Sequence, residues 1–582
     1  MYICDIIIKE ATEHNNFIYI LKGENAIMKI CNTCGADIKP GAVKCSCCGN
    51  LVMDVAVDSS AAYLNFKPGV QAPESQKYYG TPASPMFQPK TEGYNIFASS
   101  TWASALREKR MRADKLGIVL TDTSALANPY TFLQALNNYI AYKAHNGAEY
   151  YLLDLKDQQV SYVHSPNVEA VVELLRTVYD VAVPDYLMIV GDGSVIPNAE
   201  WFNECDDGDE TVPSDLAYIT LDTDSPWNGV VYDFEGITQL GRIPAKAADG
   251  FYTAISYFNN TMNFAGYGMA KSFAYSALVW EKTSRAEFSH LNPYLVTSPE
   301  YTSATLGRIG SEYNLACFNL HGSDDDHAWY GQEGWDYPEA FNGNLLPMNG
   351  GYALLTEACY GARPLHSDSI VVNAIRNNCI AFVGSSKIAY GYADGDLCCA
   401  DVIAQNFTKG IARGETAGKS FLEALSALSS GYMCEEDIKT LAEFALYGDP
   451  SATLIAASAK KAAHRAAPAK RSLTQKDASR AITLMSCSEE GGRCSKKGLT
   501  MLSFSAEEQA HIKKMASHVT QTGNEYILKK FSAMQSVQPK VYKVMGKEEY
   551  RAVYQKTEGK IKTVVSMHLD GKGNVKKVYH SK

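Results

Sequence analysis

The feature that most constrains this chain is a series of short, continuously apolar, β-rich runs separated by helical patterns. The runs are "LGIVLTD" (116–122), "YYLLDL" (150–155), "YLMIVGD" (186–192), "FAYSALVW" (273–280), "LACFNLHG" (315–322), "YALLTEAC" (352–359) and "IAFVGSS" (380–386). Runs without polar alternation are strands covered on both faces. Between them, "PYTFLQALNNYIAYKAHNG" (129–147) and "PNVEAVVELLRTVYDVAV" (166–183) repeat their apolar residues at helical spacing. Strands alternating with helices make an α/β protein with a mainly parallel sheet flanked by helices. In such sheets chemistry collects at the carboxyl ends of the strands.

Two of those ends carry reactive residues. One run exits at His321-Gly322, followed by Asp324, Asp325 and Asp326; another ends at Cys359, 38 positions after the histidine. That separation suits one strand, one crossover and the adjacent parallel strand, which sets the two side chains at the same rim. A thiolate nucleophile needs a nearby imidazole to take its proton and backbone N–H groups to hold the oxyanion. Gly322, lacking a Cβ, can offer its N–H beside that of Cys359. The blander alternative is a solvated turn histidine and a buried structural thiol; Cys317, Cys379, Cys398 and Cys399 read as small hydrophobes of that kind. His327 and His366 are competing bases, each read as a loop histidine.

Ahead of this block, "CNTCGADIKPGAVKCSCCGN" pairs Cys31 with Cys34 and Cys45 with Cys48, each pair followed by glycine. Two such knuckles give four thiolates facing one ion, the closed tetrahedral shell of structural Zn2+, with Cys47 a spare thiol. A shell with no open position folds a small zinc ribbon; it does not activate water.

The organisation that follows is an N-terminal extension of no clear type (1–27, with Met28 an alternative start), a zinc ribbon (28–50), a Pro/Ser/Gly/Tyr-rich linker (51–96), the α/β block (97–455), a basic linker (456–472) and a small basic α+β module (473–582). The last has a helical stretch near 505–533 and closes in an antiparallel hairpin set with turns at "TEGK" and "DGKGN". Residues 456–582 hold 25 Lys/Arg against 10 Asp/Glu, whereas 1–455 hold 29 against 54. A basic module of this kind binds nucleic acid or an acidic surface, or docks on its own acidic body. No apolar run reaches the ~18 residues that span a bilayer, and fifteen scattered cysteines in so long a chain suit a reducing compartment.

The block from 115 to 455 resembles the gingipain family of clan CD cysteine peptidases, which have a caspase-like α/β fold. The resemblance rests on "DYLMIVGDGSVIP", "SDLAYITLD", "QLGRIPA", "NLHGSDDDHAW", "LLTEACYGA", "AFVGSSKIAYG" and "LYGDPS", in that order. It implies a catalytic dyad of His321 and Cys359, and an acidic residue orienting the histidine, for which Glu281 in "ALVWEKTS" stands in a similar place; Asp192 and Asp215 are the alternatives, with structural roles. It also implies cleavage after Arg or Lys, and Ca2+ sites, for which the oxygen-rich loop 221–234 is a candidate. Asp324, Asp325 and Asp326 would suit a basic substrate residue electrostatically.

The expectation is therefore a cytoplasmic cysteine endopeptidase acting on proteins or peptides, with the linker "KKAAHRAAPAKR" a place for self-cleavage. The alternative is a catalytically inert caspase-like scaffold, or a nucleic-acid-binding protein, recruiting partners through the zinc ribbon and the basic tail.

Overall fold

The computed structural model describes residues 102–456 and 537–582, apart from the internal segments 157–166, 225–233 and 544–548 and a few isolated positions, together with three short strands before residue 39. Those three, Phe17–Leu21, Ile27–Cys31 and Asp37–Ile38, pair antiparallel in a compact unit of their own spanning residues 1–82. Cys31 closes the second of them. Cys34, Cys45 and Cys48 lie outside the described residues, as do residues 457–472 of the basic linker and the helical stretch 505–533.

The larger unit is built on one ten-stranded sheet. In chain order its strands are β1 (Lys115–Thr121), β2 (Ala148–Asp154), β3 (Tyr186–Val190), β4 (Gln239–Ile243), β5 (Ser272–Ala277), β6 (Tyr294–Ser298), β7 (Leu315–Asn319), β8 (Tyr352–Thr356), β9 (Cys379–Ser385) and β10 (Phe444–Gly448). They lie in the order β6-β5-β7-β8-β9-β10-β4-β3-β1-β2. All neighbours run parallel except β9 and β10. The sheet is thus two five-stranded parallel halves joined antiparallel, and their carboxyl ends face opposite rims.

The apolar runs became strands for the expected reason: every residue of β3, β5, β7, β8 and β9 is buried, which requires cover on both faces. The covering helices present one apolar stripe each. Val168–Val181 buries Val171, Val172, Leu175 and Val178 and starts at Asn167, whose side chain accepts from the Ala170 N–H at 2.8 Å. At ~1.5–3 kcal/mol for each large side chain fully buried, these stripes dominate the stability.

Three strands were not among the sequence expectations: β4, β6 and β10. β4 carries a charge inside the sheet, Arg242, which its tertiary partner Asp215 compensates. β6 is an edge strand with its first residue exposed.

The C-terminal region adds a second sheet. β11 (Lys540–Lys543), β12 (Glu549–Glu558), β13 (Ile561–Asp570) and β14 (Val575–Ser581) form an antiparallel meander. Its fifth strand is Tyr390–Gly391, contributed by the α/β block, which pairs with the end of β14. The meander rests on acidic residues of that block: Arg551 and His568 both reach Glu436, at 3.2 and 3.0 Å, Lys540 reaches Asp206 at 3.1 Å, and Lys560 meets Asp325. Four basic side chains of this meander thus meet acidic residues of the block.

Candidate active site

β7 and β8 are parallel neighbours in register Phe318↔Thr356, so His321 and Cys359 leave the same rim side by side. Gly322 lets them approach: a Cβ there would lie 1.8 Å from the Cys359 carbonyl oxygen, a backbone clash no side chain could relieve. His321 is fixed by mutual backbone hydrogen bonds with Tyr330 at 2.9 and 2.8 Å. Its ring, 4.3 Å from the Trp280 ring, has Nε2 2.9 Å from Gln332 Oε1. The Gln332 amide nitrogen donates to Gly334 O at 3.2 Å, which turns the carbonyl oxygen toward the imidazole. The proton therefore sits on Nε2, and Nδ1 is the basic nitrogen. Burial, helped by the nearby Lys582 charge and opposed by Gln332, pushes the imidazole down to about 4, so it is neutral at physiological pH.

Cys359 is buried, its Sγ 3.7 Å from the Ala389 carbonyl. Burial pushes its thiol far above the usual range, so a proton acceptor is needed before it can attack. The next residue, Tyr360, has φ +56°, a left-handed conformation costly for a bulky side chain. It is held there by its N–H to Lys387 O at 2.8 Å and its hydroxyl to Asp209 at 2.8 Å. Asp209 in turn is anchored by the buried Lys439 ammonium at 2.8 Å. This network fixes the backbone that follows Cys359.

Beside the dyad lies a buried acidic pocket. Glu287, Glu357 and Asp401 are fully buried, with carboxylate oxygens within 4.8 Å of one another. Their cation is Lys582, whose Nζ lies 2.9 Å from Asn319 Oδ1, 2.8 Å from Asp401 Oδ1 and 3.2 Å from Glu357 Oε2, and 4.8 Å from the Trp280 ring centroid. The ammonium donates hydrogen bonds to Asn319 and Asp401 and forms an ion pair with Glu357. Asp401 is further fixed by the N–H groups of Tyr392 and Cys398. Burial and the neighbouring Asp401 charge push Glu287 up to about 8, and burial with the Glu287 charge raises Glu357 as well. Gly391 borders the lysine stem: a Cβ there would sit 2.1 Å from Lys582 Cε.

The other sequence candidates go elsewhere. Glu281 begins the helix Glu281–Glu287 and bonds Arg285 at 2.6 Å; the hydrogen-bond partner of the His321 ring is Gln332. Asp325 pairs with Lys560 and Asp324 is exposed, so this loop pair lies outside the buried pocket that holds Lys582; Asp326 is outside the described residues. Asp215 holds Arg242 at 2.6 Å and Asp192 caps a turn through Ser194, both structural. His327 and His366 stack on each other at 5.3 Å. Cys317, Cys379, Cys398 and Cys399 are buried thiols, each raised by burial. Of the loop 221–234, residues 225–233 are outside the described ones, and Asp222 accepts from the Asp224 N–H in a local turn. Gln332, Glu287, Asp401 and Lys582 gave no sequence signal. Glu357 did give one, as a carboxylate inside an apolar run.

Three solved structures are similar, each covering 58% of this chain: one titled "Structure of Protease" (13% identity, TM-score 0.42, 78% of that chain), the Arg-specific cysteine proteinase gingipain R (13%, 0.42, 77%), and the complex of the pro- and mature domains of RgpB from Porphyromonas gingivalis (14%, 0.39, 79%). No curated protein matches the chain. The model of the family described as "Peptidase family C25" matches residues 118–455, more than half of the sequence, and the chain belongs to that family.

Proposed function

We propose that this cysteine peptidase is an endopeptidase that cleaves after a basic residue, lysine in particular, with Cys359 as nucleophile and His321 as its base. The observation that carries the reading is the three-carboxylate pocket beside the dyad, filled by a lysine ammonium. Cys359 Sγ adds to the carbonyl carbon as the imidazole takes its proton, and the oxyanion is held by the Cys359 N–H with Gly322 beside it. The C–N bond then breaks, the imidazolium protonates the departing amine, and a thioester remains. Water, deprotonated by the same imidazole, releases the acid and restores the thiol. Gln332 positions the ring throughout.

The same reading places the enzyme in a reducing compartment, the cytoplasm, where the seven buried cysteines of the larger unit stay as thiols. It assigns structural Zn2+ to Cys31, Cys34, Cys45 and Cys48, which predicts one bound zinc per chain by elemental analysis, lost in Cys34→Ser. The basic module, several of whose cations meet acids of the α/β block, is assigned a role within the chain in preference to nucleic-acid binding. Fluorogenic peptides ending in Lys, Arg, Asp or Leu, offered to the protein and to Cys359→Ala, test the activity. Cleavage after Lys or Arg that is lost in the variant is the expected result. Cleavage after Asp or Leu alone, or cleavage that survives in Cys359→Ala, refutes the assignment.

A further inference from the structure

Lysine is rarely buried completely, and only when paired. Lys582 is 1% exposed, and the two residues before it, His580 and Ser581, are equally covered. What surrounds them is the substrate-binding side of the dyad, and the contacts run in the order a bound peptide would make them. The end of β14 pairs antiparallel with Tyr390–Gly391, in register Ser581↔Tyr390 and His580↔Gly391. The Lys582 N–H donates to Ala389 O at 2.9 Å, the same carbonyl that lies 3.7 Å from the Cys359 sulfur. The Lys582 carbonyl oxygen accepts from the Cys359 N–H at 3.2 Å, the donor an acyl-transfer intermediate requires. Its side chain crosses Gly391, where no Cβ obstructs it, and ends among Asn319, Glu357 and Asp401.

An ordinary surface strand needs one of these contacts at most. Here main-chain pairing, a carbonyl on the nucleophile's own N–H and a cation in the acidic pocket converge on one residue. Strand addition supplies affinity through the backbone, and a pocket for one side chain supplies selectivity.

We propose that residues 578–582 are an internal pseudosubstrate: Lys582 occupies the specificity pocket, its carbonyl occupies the oxyanion site, and the segment keeps external lysyl peptides from Cys359 until it is displaced. This rests on the lysyl-peptidase reading for the identity of the pocket. The meander is anchored elsewhere on the block by the buried Arg551–Glu436 pair, so the segment is presented intramolecularly and an external peptide must outcompete a tethered one.

The test uses the full chain and two variants, Lys582→Ala and Lys582→Gln; the second keeps the length of the stem should the first fail to fold, and thermal melts identify the folded proteins. Two rates are measured: alkylation of Cys359 by iodoacetamide, followed on the peptide that contains it, and hydrolysis of a lysyl reporter peptide. Freeing a largely occupied site should raise both at least about tenfold in a folded variant. Unchanged alkylation in a folded variant overturns the proposal. If alkylation accelerates but no reporter is cut by any of the three proteins, the occlusion stands and the lysyl-peptidase reading falls. If all three cut the reporter at the same Cys359-dependent rate, the occlusion falls and the peptidase reading stands.

Discussion

In the half-sheet made of β1–β4 and β10, three buried or half-buried acids have local cations. Asp215 holds Arg242, whose guanidinium also donates to the carbonyls of Gly191 and Ile196; Asp449 meets Lys143 at 3.1 Å and the hydroxyls of Tyr139 and Tyr150; Asp185 meets Lys115 and Arg110. Although burial opposes it, these partners keep Asp449 and Asp185 below the usual carboxylate range. In the half made of β5–β9, three buried acids crowd together, and Glu287 and Glu357 are pushed up instead. Their cation comes from the far C-terminal segment. The two halves share an architecture and differ in whether their polar groups satisfy one another or depend on something that docks. The first pattern builds a frame; the second builds a site.

The sharpest way to break this contrast is to remove a group from each rim. Cys359→Ala should abolish peptide hydrolysis, a fall of at least about 10³-fold, with the melting temperature little changed. A residual rate near that of the unaltered protein would move the nucleophile elsewhere. Next in size is Gly391→Ala, whose Cβ would stand where the lysine stem passes. Displacing the substrate by about 1 Å can cost ~10²-fold in rate, so kcat/KM for lysyl peptides should fall by that order, whereas alkylation of Cys359 by iodoacetamide should quicken, because the same Cβ dislodges Lys582. Undiminished lysyl cleavage would show that Gly391 does not border the substrate path.

The sequence made the site legible where chemistry and strand ends coincide. His321 and Cys359 stood out because reactive residues closed apolar runs at a crossover's separation, and the Gly322 approach followed from its missing Cβ. Glu357, two residues before the cysteine in "LLTEACYG", was equally visible as a charge in a buried run, but a lone carboxylate names no partner. Glu287 and Asp401 lie on helices far apart in the chain and meet only through the fold. Lys582 was hidden among the 25 basic residues of a segment whose bulk charge points to acidic partners in general and singles out no one residue. The fold reads in the same way: fully apolar strands were evident, whereas β4, with Arg242 in its interior, needed Asp215 from a distant loop to explain it. The aspartate loop at 324–326 drew attention through composition, yet the groove acids are defined by burial, which composition does not report.

In the frame, effects should appear in stability without appearing in catalysis. Asp215→Asn leaves the Arg242 charge buried and uncompensated, at a cost of about 3–5 kcal/mol, read by urea denaturation, with KM for lysyl peptides unchanged in the protein that remains folded. A large KM change would place this pair in the substrate site. On the site rim the corresponding measurement is pH dependence. His321 is lowered from 6.5 to about 4, so the native state binds fewer protons than the unfolded chain between those values. Its contribution to stability is complete above about pH 6.5 and is lost as pH falls toward 4, a difference on the order of 3 kcal/mol. His321→Gln should flatten the acid limb of a stability-versus-pH curve. A limb of unchanged slope would mean that the ring is not held neutral by its surroundings.

The smallest effect separates the two kinds of acid within the half made of β5–β9 itself. Glu281 lies one helix-length from Glu287, but a third of its side chain is exposed and its partner Arg285 is more exposed still, at 62%. An i,i+4 pair of this kind loses much of its Coulomb energy to solvent and salt, and contributes about 0.5 kcal/mol or less. Glu281→Gln should therefore shift the denaturation midpoint barely measurably and leave kcat/KM within about twofold, a factor equivalent to that energy. Gln332→Leu, which removes the hydrogen-bond partner of the imidazole, should instead lower kcat and displace the acid limb of the pH–rate profile while KM holds. If the results are exchanged, with Glu281→Gln slowing turnover a hundredfold and Gln332→Leu silent, the orienting group is the carboxylate, and the conformation that reacts brings Glu281 away from Arg285 to the histidine.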